Sequence, residues 1–180
     1  MKRMVQKSDK RFIMIRGSLF VLLLIGFSID TIAQVSETAS ASATIVTPIA
    51  ISKAADMNFG NIAAGSSSGL VILTPTGSRS LSGGITLPSL AGTVTAASFT
   101  VTGAPGFAYS ITLPVTPLNI TSGNNNMIVN VFESNPVTTG MLDSSGLQIL
   151  NVGATLSVGA SQPAGTYHST DQFTVTVNYN

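Results

Sequence analysis

Cysteine and tryptophan are absent from the 180-residue sequence, histidine occurs once, and charged residues make up only 8%. Without cysteine there is no disulfide framework, no thiolate nucleophile, no Cys-ligated zinc site and no lipoprotein-type acylation. A single histidine, His168, with scattered acids falls short of a zinc ligand set, and Asp143-Ser144-Ser145-Gly146 lacks the alternating oxygen ligands and closing Glu of an EF-hand loop. No Gly-x-Gly-x-x-Gly or P-loop pattern occurs, and no strand-helix repeat is present to hold one. Beyond the amino-terminal region no long stretch carries a 3.6-residue apolar period, which excludes a helical bundle. No cofactor is expected.

Long apolar runs are also scarce, with one exception. Lys2, Arg3, Lys7, Lys10, Arg11 and Arg16 precede the apolar stretch Leu19 to Phe27, a basic region followed by a hydrophobic one. A membrane-spanning helix needs about 20 apolar residues, and this run is about half that before Asp30 interrupts it. The spacing predicts a cleavable signal peptide over residues 1–33, cut between Ala33 and Gln34 after Thr31-Ile32-Ala33. The expected location is therefore secreted: periplasm, cell surface or extracellular, with no membrane span after cleavage. Of the eight basic residues only Lys53 and Arg79 lie outside the leader. Against Glu37, Asp56, Glu133, Asp143 and Asp171 they leave a net charge of −3. Specific DNA binders neutralise about 6 to 10 phosphates, so no nucleic-acid partner is expected.

What is present is β-sheet sequence. Short runs of alternating apolar and hydroxyl residues are punctuated by Gly, Pro, Ser and Asn, at spacings that suit a sandwich. The expected fold is a single antiparallel, immunoglobulin-like β-sandwich over residues 34–180. A chain of this length buries roughly 68 to 70% of its unfolded surface without covalent staples. The clearest hairpin is expected over Ser98 to Leu113, turning at Gly103-Ala104-Pro105-Gly106, with Phe99, Val101, Phe107, Tyr109, Ile111 and Leu113 on one face. Ala39, Ala41, Ala43 and Ile45, leading past Pro48 to Ile49 and Ile51, read as the first strand. Further strands are expected at Met57 to Ile62, Leu70 to Thr74, Gly84 to Leu87, Met127 to Phe132, Leu147 to Leu150 and Ala154 to Val158. At the carboxy terminus Phe173, Val175, Val177 and Tyr179 alternate with Thr174, Thr176 and Asn178. Strand neighbours point to opposite faces, so these four form the candidate core and strand-pairing face.

Two fragments resemble catalytic motifs. Gly65-Ser66-Ser67-Ser68-Gly69 satisfies Gly-x-Ser-x-Gly, but a nucleophile elbow needs a helix after it, and Leu70 to Leu73 is strand sequence. A Ser/Gly turn is the expectation. His168 with Ser169 and Asp171 lacks the geometry of a triad, because adjacent residues do not align nucleophile, base and orienting acid. Asn119-Ile120-Thr121 is a glycosylation sequon only for a host that glycosylates. No catalytic residue is assigned, and no enzyme activity is expected.

Pro48-Ile49, Asn58-Phe59-Gly60-Asn61-Ile62, Thr102-Gly103-Ala104-Pro105-Gly106, Val152-Gly153-Ala154, Gly165-Thr166-Tyr167 and the terminal Thr176-Val177-Asn178-Tyr179 together resemble a bacterial secreted family, the domain of unknown function 4402. More distantly, the early Phe-Gly and the penultimate Tyr179 are similar to fimbrial subunits and spore-coat-U-like domains. That resemblance implies a pilin-like sandwich completed by a strand from a chaperone or a neighbouring subunit. The chain departs from it in lacking cysteines, and in offering Val35, Ala39 and Ala41 along Gln34 to Ser42 where donors present bulkier plugs. Each absent methylene forgoes about 0.8 kcal/mol, so this segment is expected to be a poor plug, while an edge strand stays free for a partner. The expected function is a structural or adhesive component of the bacterial surface or periplasm, working through strand contacts. The alternative is a self-contained secreted domain that binds a glycan or small ligand in a loop-lined depression.

Overall fold

The computed structural model describes residues 33–180. The predicted leader, Ala33 excepted, lies outside the described residues. The chain divides into two units, the first ending at Ala43 and the second comprising Thr44–Asn180. The described part of the first, residues 33–43, forms no strand and is exposed throughout.

The second unit is all-β. Its strands are β1 (Ala50–Ala55), β2 (Ala63–Leu73), β3 (Arg79–Thr86), β4 (Ala97–Thr102), β5 (Ala108–Thr112), β6 (Leu118–Ser122), β7 (Asn125–Asn135), β8 (Thr139–Met141), β9 (Leu147–Val158), β10 (His168–Ser169) and β11 (Thr176–Tyr179). Every pairing between them is antiparallel. The larger sheet runs β1-β4-β9-β7-β6-β10, with β2 also on β9 and β3 on β2, and the smaller runs β11-β5-β8.

Strand β9 organises the larger sheet. Along one edge its first half pairs with β4, Leu147–Val152 against Thr102–Ala97, and its second half with β2, Ala154–Val158 against Leu73–Gly69. Along the other edge it pairs with β7. Gly153 sits where β4 gives way to β2, and a Cβ there would run into the carbonyl oxygen of Leu73 and the Thr74-Pro75 backbone. The glycine lets one strand serve two neighbours end to end, so the two segments expected at Leu147–Leu150 and Ala154–Val158 are one strand.

Alternation sets the core. Leu150, Val152, Ala154, Leu156 and Val158 on β9 are all buried on one face. The larger sheet and the smaller enclose Val101, Tyr109, Leu142, Leu150, Val152, Val175 and Val177. A second cluster continues along the larger sheet around Val71, Leu73, Ile85, Val129 and Leu156, with Phe59 from the β1–β2 connection packed on it. Met57 and Phe132 touch both clusters. That connection is no strand, contrary to expectation for Met57 to Ile62. It makes one isolated bridge, Asn58 to Thr95, and the Arg79 guanidinium donates to the carbonyls of Phe59 and Asn61, which fixes Phe59 over the cluster.

The expected Ser98–Leu113 hairpin is an arch. Strand β4 lies in the larger sheet and β5 in the smaller, so Val101 and Tyr109 meet across the core from opposite sheets. The Gly103–Gly106 segment makes one local turn bond, from Phe107 N–H to the Ala104 carbonyl, and otherwise bonds elsewhere: Gly103 N–H to the Gly146 carbonyl and Gly106 N–H to the Leu142 carbonyl. An arch and a hairpin show the same side-chain parity. The expected first strand is shortened too. It begins at Ala50, and every residue from Ala33 to Pro48 is exposed and outside any strand.

Candidate strand-pairing edge

The carboxy-terminal residues keep their alternation. Val175 and Val177 are buried, Phe173 and Tyr179 are half-buried against the same cluster, and Thr174, Thr176 and Asn178 are exposed. Regular strand begins only at Thr176, so Phe173 and Val175 reach the core from a segment without a ladder. Phe173 packs edge-on to Phe99 of β4 with centroids 6.3 Å apart, and lies 5.0 Å from Phe132 of β7, bringing the two sheets together at side-chain level.

At backbone level, among the described residues, β11 has one neighbour. It pairs with β5 from Thr176↔Thr112 to Tyr179↔Tyr109. On β5, Ile111 N–H bonds to the Thr138 carbonyl on the β8 side, whereas the Ala108 carbonyl accepts from Asn180 N–H on the β11 side. Bonding direction alternates along an antiparallel strand. The even residues of β11 therefore bond inward, and the N–H and C=O groups of Val177 and Tyr179 face the open edge. Among the described residues strand β1 is likewise paired on one side only, with β4. These two open edges flank an apolar seam lined by Ile49, Ile51, Phe99, Phe173 and Tyr179, all packed against the enclosed cluster.

One end of the seam is tied. The Tyr179 hydroxyl accepts from Ala104 N–H at 2.6 Å and donates to the Thr47 carbonyl at 2.7 Å. Its ring tilts against Phe107, centroids 5.6 Å apart, and a Cβ on Gly103 would collide with its hydroxyl. This clamp was not anticipated from the sequence, although a penultimate tyrosine on an alternating terminal strand was the available signal.

The catalytic look-alikes are scattered. Ser67 lies in a bulged part of β2, where the register with β3 shifts between Ala64 and Gly69. Gly65, Gly69 and Gly84 leave no room for a Cβ because the backbones of β2 and β3 touch there. The glycines serve close strand approach, and the segment is a bulged strand rather than the expected turn. His168 lies on β10, separated from β2 by β6, β7 and β9. At about 4.8 Å per strand that is roughly 19 Å. Asp143 caps the β8–β9 turn, its carboxylate accepting from the Ser145 hydroxyl at 2.7 Å and from the amides of Ser145 and Leu147. The Ser145 hydroxyl foremost, then the backbone amides, holds its pKa below the usual carboxylate value. Among the described residues no three His, Asp or Glu side chains gather in metal-ligand proximity. Two shallow depressions share Leu113. One, about 410 Å³, is lined by Ile111, Phe132, Glu133 and Val137. The other, about 460 Å³, is lined by Asn119, Asp171, Gln172, Phe173 and Thr174.

A family model described as "Domain of unknown function (DUF4402)" matches residues 49–179, from the residue before β1 to the end of β11. The chain belongs to the DUF4402 family. The DUF4402 match thus takes in both open edges and the seam between them. No curated protein and no solved structure matches the chain.

Proposed function

We propose that this chain is a non-enzymatic structural or adhesive component of the exported bacterial surface or periplasm, pilin-like in architecture, that works by accepting a partner strand at the β11 edge. The observation that carries the reading is the pair of outward backbone groups on Val177 and Tyr179 above an apolar seam. Added strands gain affinity from main-chain hydrogen bonds and selectivity from alternate side chains. The other edges are poorer templates. Strands β8 and β10 have three and two residues, and short edges resist pairing. Strand β3 carries Gly83 at φ 80° and an irregular register. Strand β1 carries Lys53, a charge of the kind that blocks edge addition. Partners of this reading are other protein subunits or a chaperone.

The test is the concentration-dependent mass of protein recovered from the exported fraction, with and without extended apolar peptides. Association or peptide capture is the expected result. A chain that stays monomeric and captures no strand overturns the reading. The 460 Å³ depression favours a second one, since Asn119, Gln172, Thr174 and Asp171 beside Phe173 offer the amide, hydroxyl and carboxylate groups that bind sugars. Saturable binding of a glycan, abolished by Asp171→Ala with Gln172→Ala, would select it.

A further inference from the structure

We propose that Arg79, at the start of β3, is a binding site for a carboxylate, and that the group it takes is an acidic side chain of a partner protein. The site is separate from the β11 edge and does not depend on it.

The first observation is how the guanidinium is held. Its Nη1 donates to the carbonyls of Phe59 and Asn61, the residues on either side of Gly60. Gly60 has φ 70°, a conformation that costs little only without a Cβ, and a Cβ there would press on the Ala91 carbonyl and on Nη1 itself. The loop that carries both carbonyls is braced in turn. The Asn58 side-chain oxygen accepts from Gly60 N–H at 2.8 Å, Asn61 N–H bonds to the Ala91 carbonyl at 2.7 Å, and Asn61 Nδ2 donates to the Leu90 carbonyl at 3.1 Å. The guanidinium is fixed before any ligand arrives, so little freedom is left to lose on binding.

The second observation is what the loop leaves over. An arginine carries five N–H donors in a planar fork. The two on Nη1 serve the loop, and neither Nε nor Nη2 meets a protein acceptor among the described residues. No buried side-chain nitrogen among them lacks a partner, so the Nε–Nη2 edge opens to solvent. The two parallel N–H groups of that edge match the two oxygens of a carboxylate.

The third observation is the charge. Arg79 is half-buried, and among the described residues no carboxylate lies within ion-pair distance of it. Lys53, the only other cation outside the leader, lies 2.7 Å from Asp56. A charge drawn partly out of water onto neutral carbonyls lacks the counter-charge that offsets its desolvation. One guanidinium, with no helix N-terminus among the described residues to assist it, neutralises one negative charge. That suits a carboxylate and leaves a doubly charged phosphate half compensated. The surroundings favour a protein over a sugar acid. The Asn58 oxygen and Asn61 Nδ2, which could hold sugar hydroxyls, are spent on their own loop, whereas Leu90 of the same loop system is 76% exposed. An arginine with apolar neighbours is a frequent anchor of protein interfaces.

The experiment follows the Arg79 Nε–H by NMR in the ¹⁵N-labelled exported product, Arg79 being the sole arginine outside the leader. The probes are a capped Leu-Glu-Leu peptide, its Leu-Gln-Leu counterpart and glucuronate. The expected result is a saturable shift with the Glu peptide, and about tenfold or greater weakening with the Gln peptide and with glucuronate. Arg79→Lys keeps the charge and loses the fork, and should weaken the Glu peptide by a similar factor, read at the Leu90 amide. Equal responses to the Glu and Gln peptides, or no response to either, overturn the carboxylate site. Glucuronate bound as tightly as the Glu peptide overturns the protein partner. Equal affinity in Arg79→Lys and the parent overturns recognition by the fork, and if that variant does not fold, the comparison of Glu with Gln peptide on the parent decides. None of these readouts involves β11, so the strand-accepting reading stands or falls separately.

Discussion

Tyr109 and Tyr179, directly paired across β5 and β11, hold the smaller sheet by different means. Tyr109 is fully buried, and its hydroxyl donates to Gln148 Oε1 at 2.8 Å, an oxygen that also accepts from Met141 N–H at 2.9 Å. Burial disfavours the phenolate and pushes the Tyr109 pKa up. A phenol whose pKa is higher folded than unfolded adds stability that is fully present below the unfolded value of about 10 and is lost as pH rises through the folded one. The urea midpoint should therefore be flat near neutrality and fall above about pH 10, with a shallower fall in Tyr109→Phe. Tyr179 is half-buried and clamps two backbone segments. Tyr179→Phe leaves the buried Ala104 N–H without its acceptor and frees the Thr47 carbonyl. An orphaned buried donor costs about 1 to 3 kcal/mol. The expected result is a lower urea midpoint with an unchanged denaturant slope, the signature of lost stability without altered compactness.

For single elements, the entry into β11 gives the sharpest contrast. Val175→Asp removes an apolar side chain that contributes about 1.5 to 3 kcal/mol when buried and puts a charge among Val177, Leu150 and Phe173. Thr176→Asp adds the same charge one residue on, at an exposed position. Soluble yield and urea midpoint should drop severely for the first and little for the second; equal effects would refute the facing. The side-chain period made this legible from sequence, as it did for Val101 and Tyr109. Which strand each one joins was not legible. Parity records the face a residue points to, and β4 and β5 keep one parity whether they pair in a hairpin or arch between sheets. The same blindness covers the candidate site. Phe173, Val175, Val177 and Tyr179 stand out in sequence, but the open edge is made of backbone groups that no side chain announces. Ala39 to Ile45 shows the converse failure: an alternation that fits a strand, with no strand beside it.

Across the molecule, the two halves of the larger sheet meet at Gly153. Any Cβ there must displace the Leu73 carbonyl and the Thr74-Pro75 turn, and both sides are buried in a sheet that cannot yield at one residue. Gly153→Val should cost about 1 to 3 kcal/mol or more as an overpacked site. Gly77→Val, whose Cβ meets nothing within 4 Å, strains only its own backbone at φ 82° and should cost less. Thermal or urea unfolding of the two variants checks the order.

The central place of β9 also dictates when the chain can fold. Six of its sheet companions precede it in sequence, and until Leu147–Val158 has been made the larger sheet consists only of β1 with β4, β2 with β3, and β6 with β7. A lone two-stranded ribbon is marginal at best in water. A chain made from its amino end therefore has no lasting tertiary structure until its last fifth has been synthesised, and remains threadable through a narrow conduit for most of its birth.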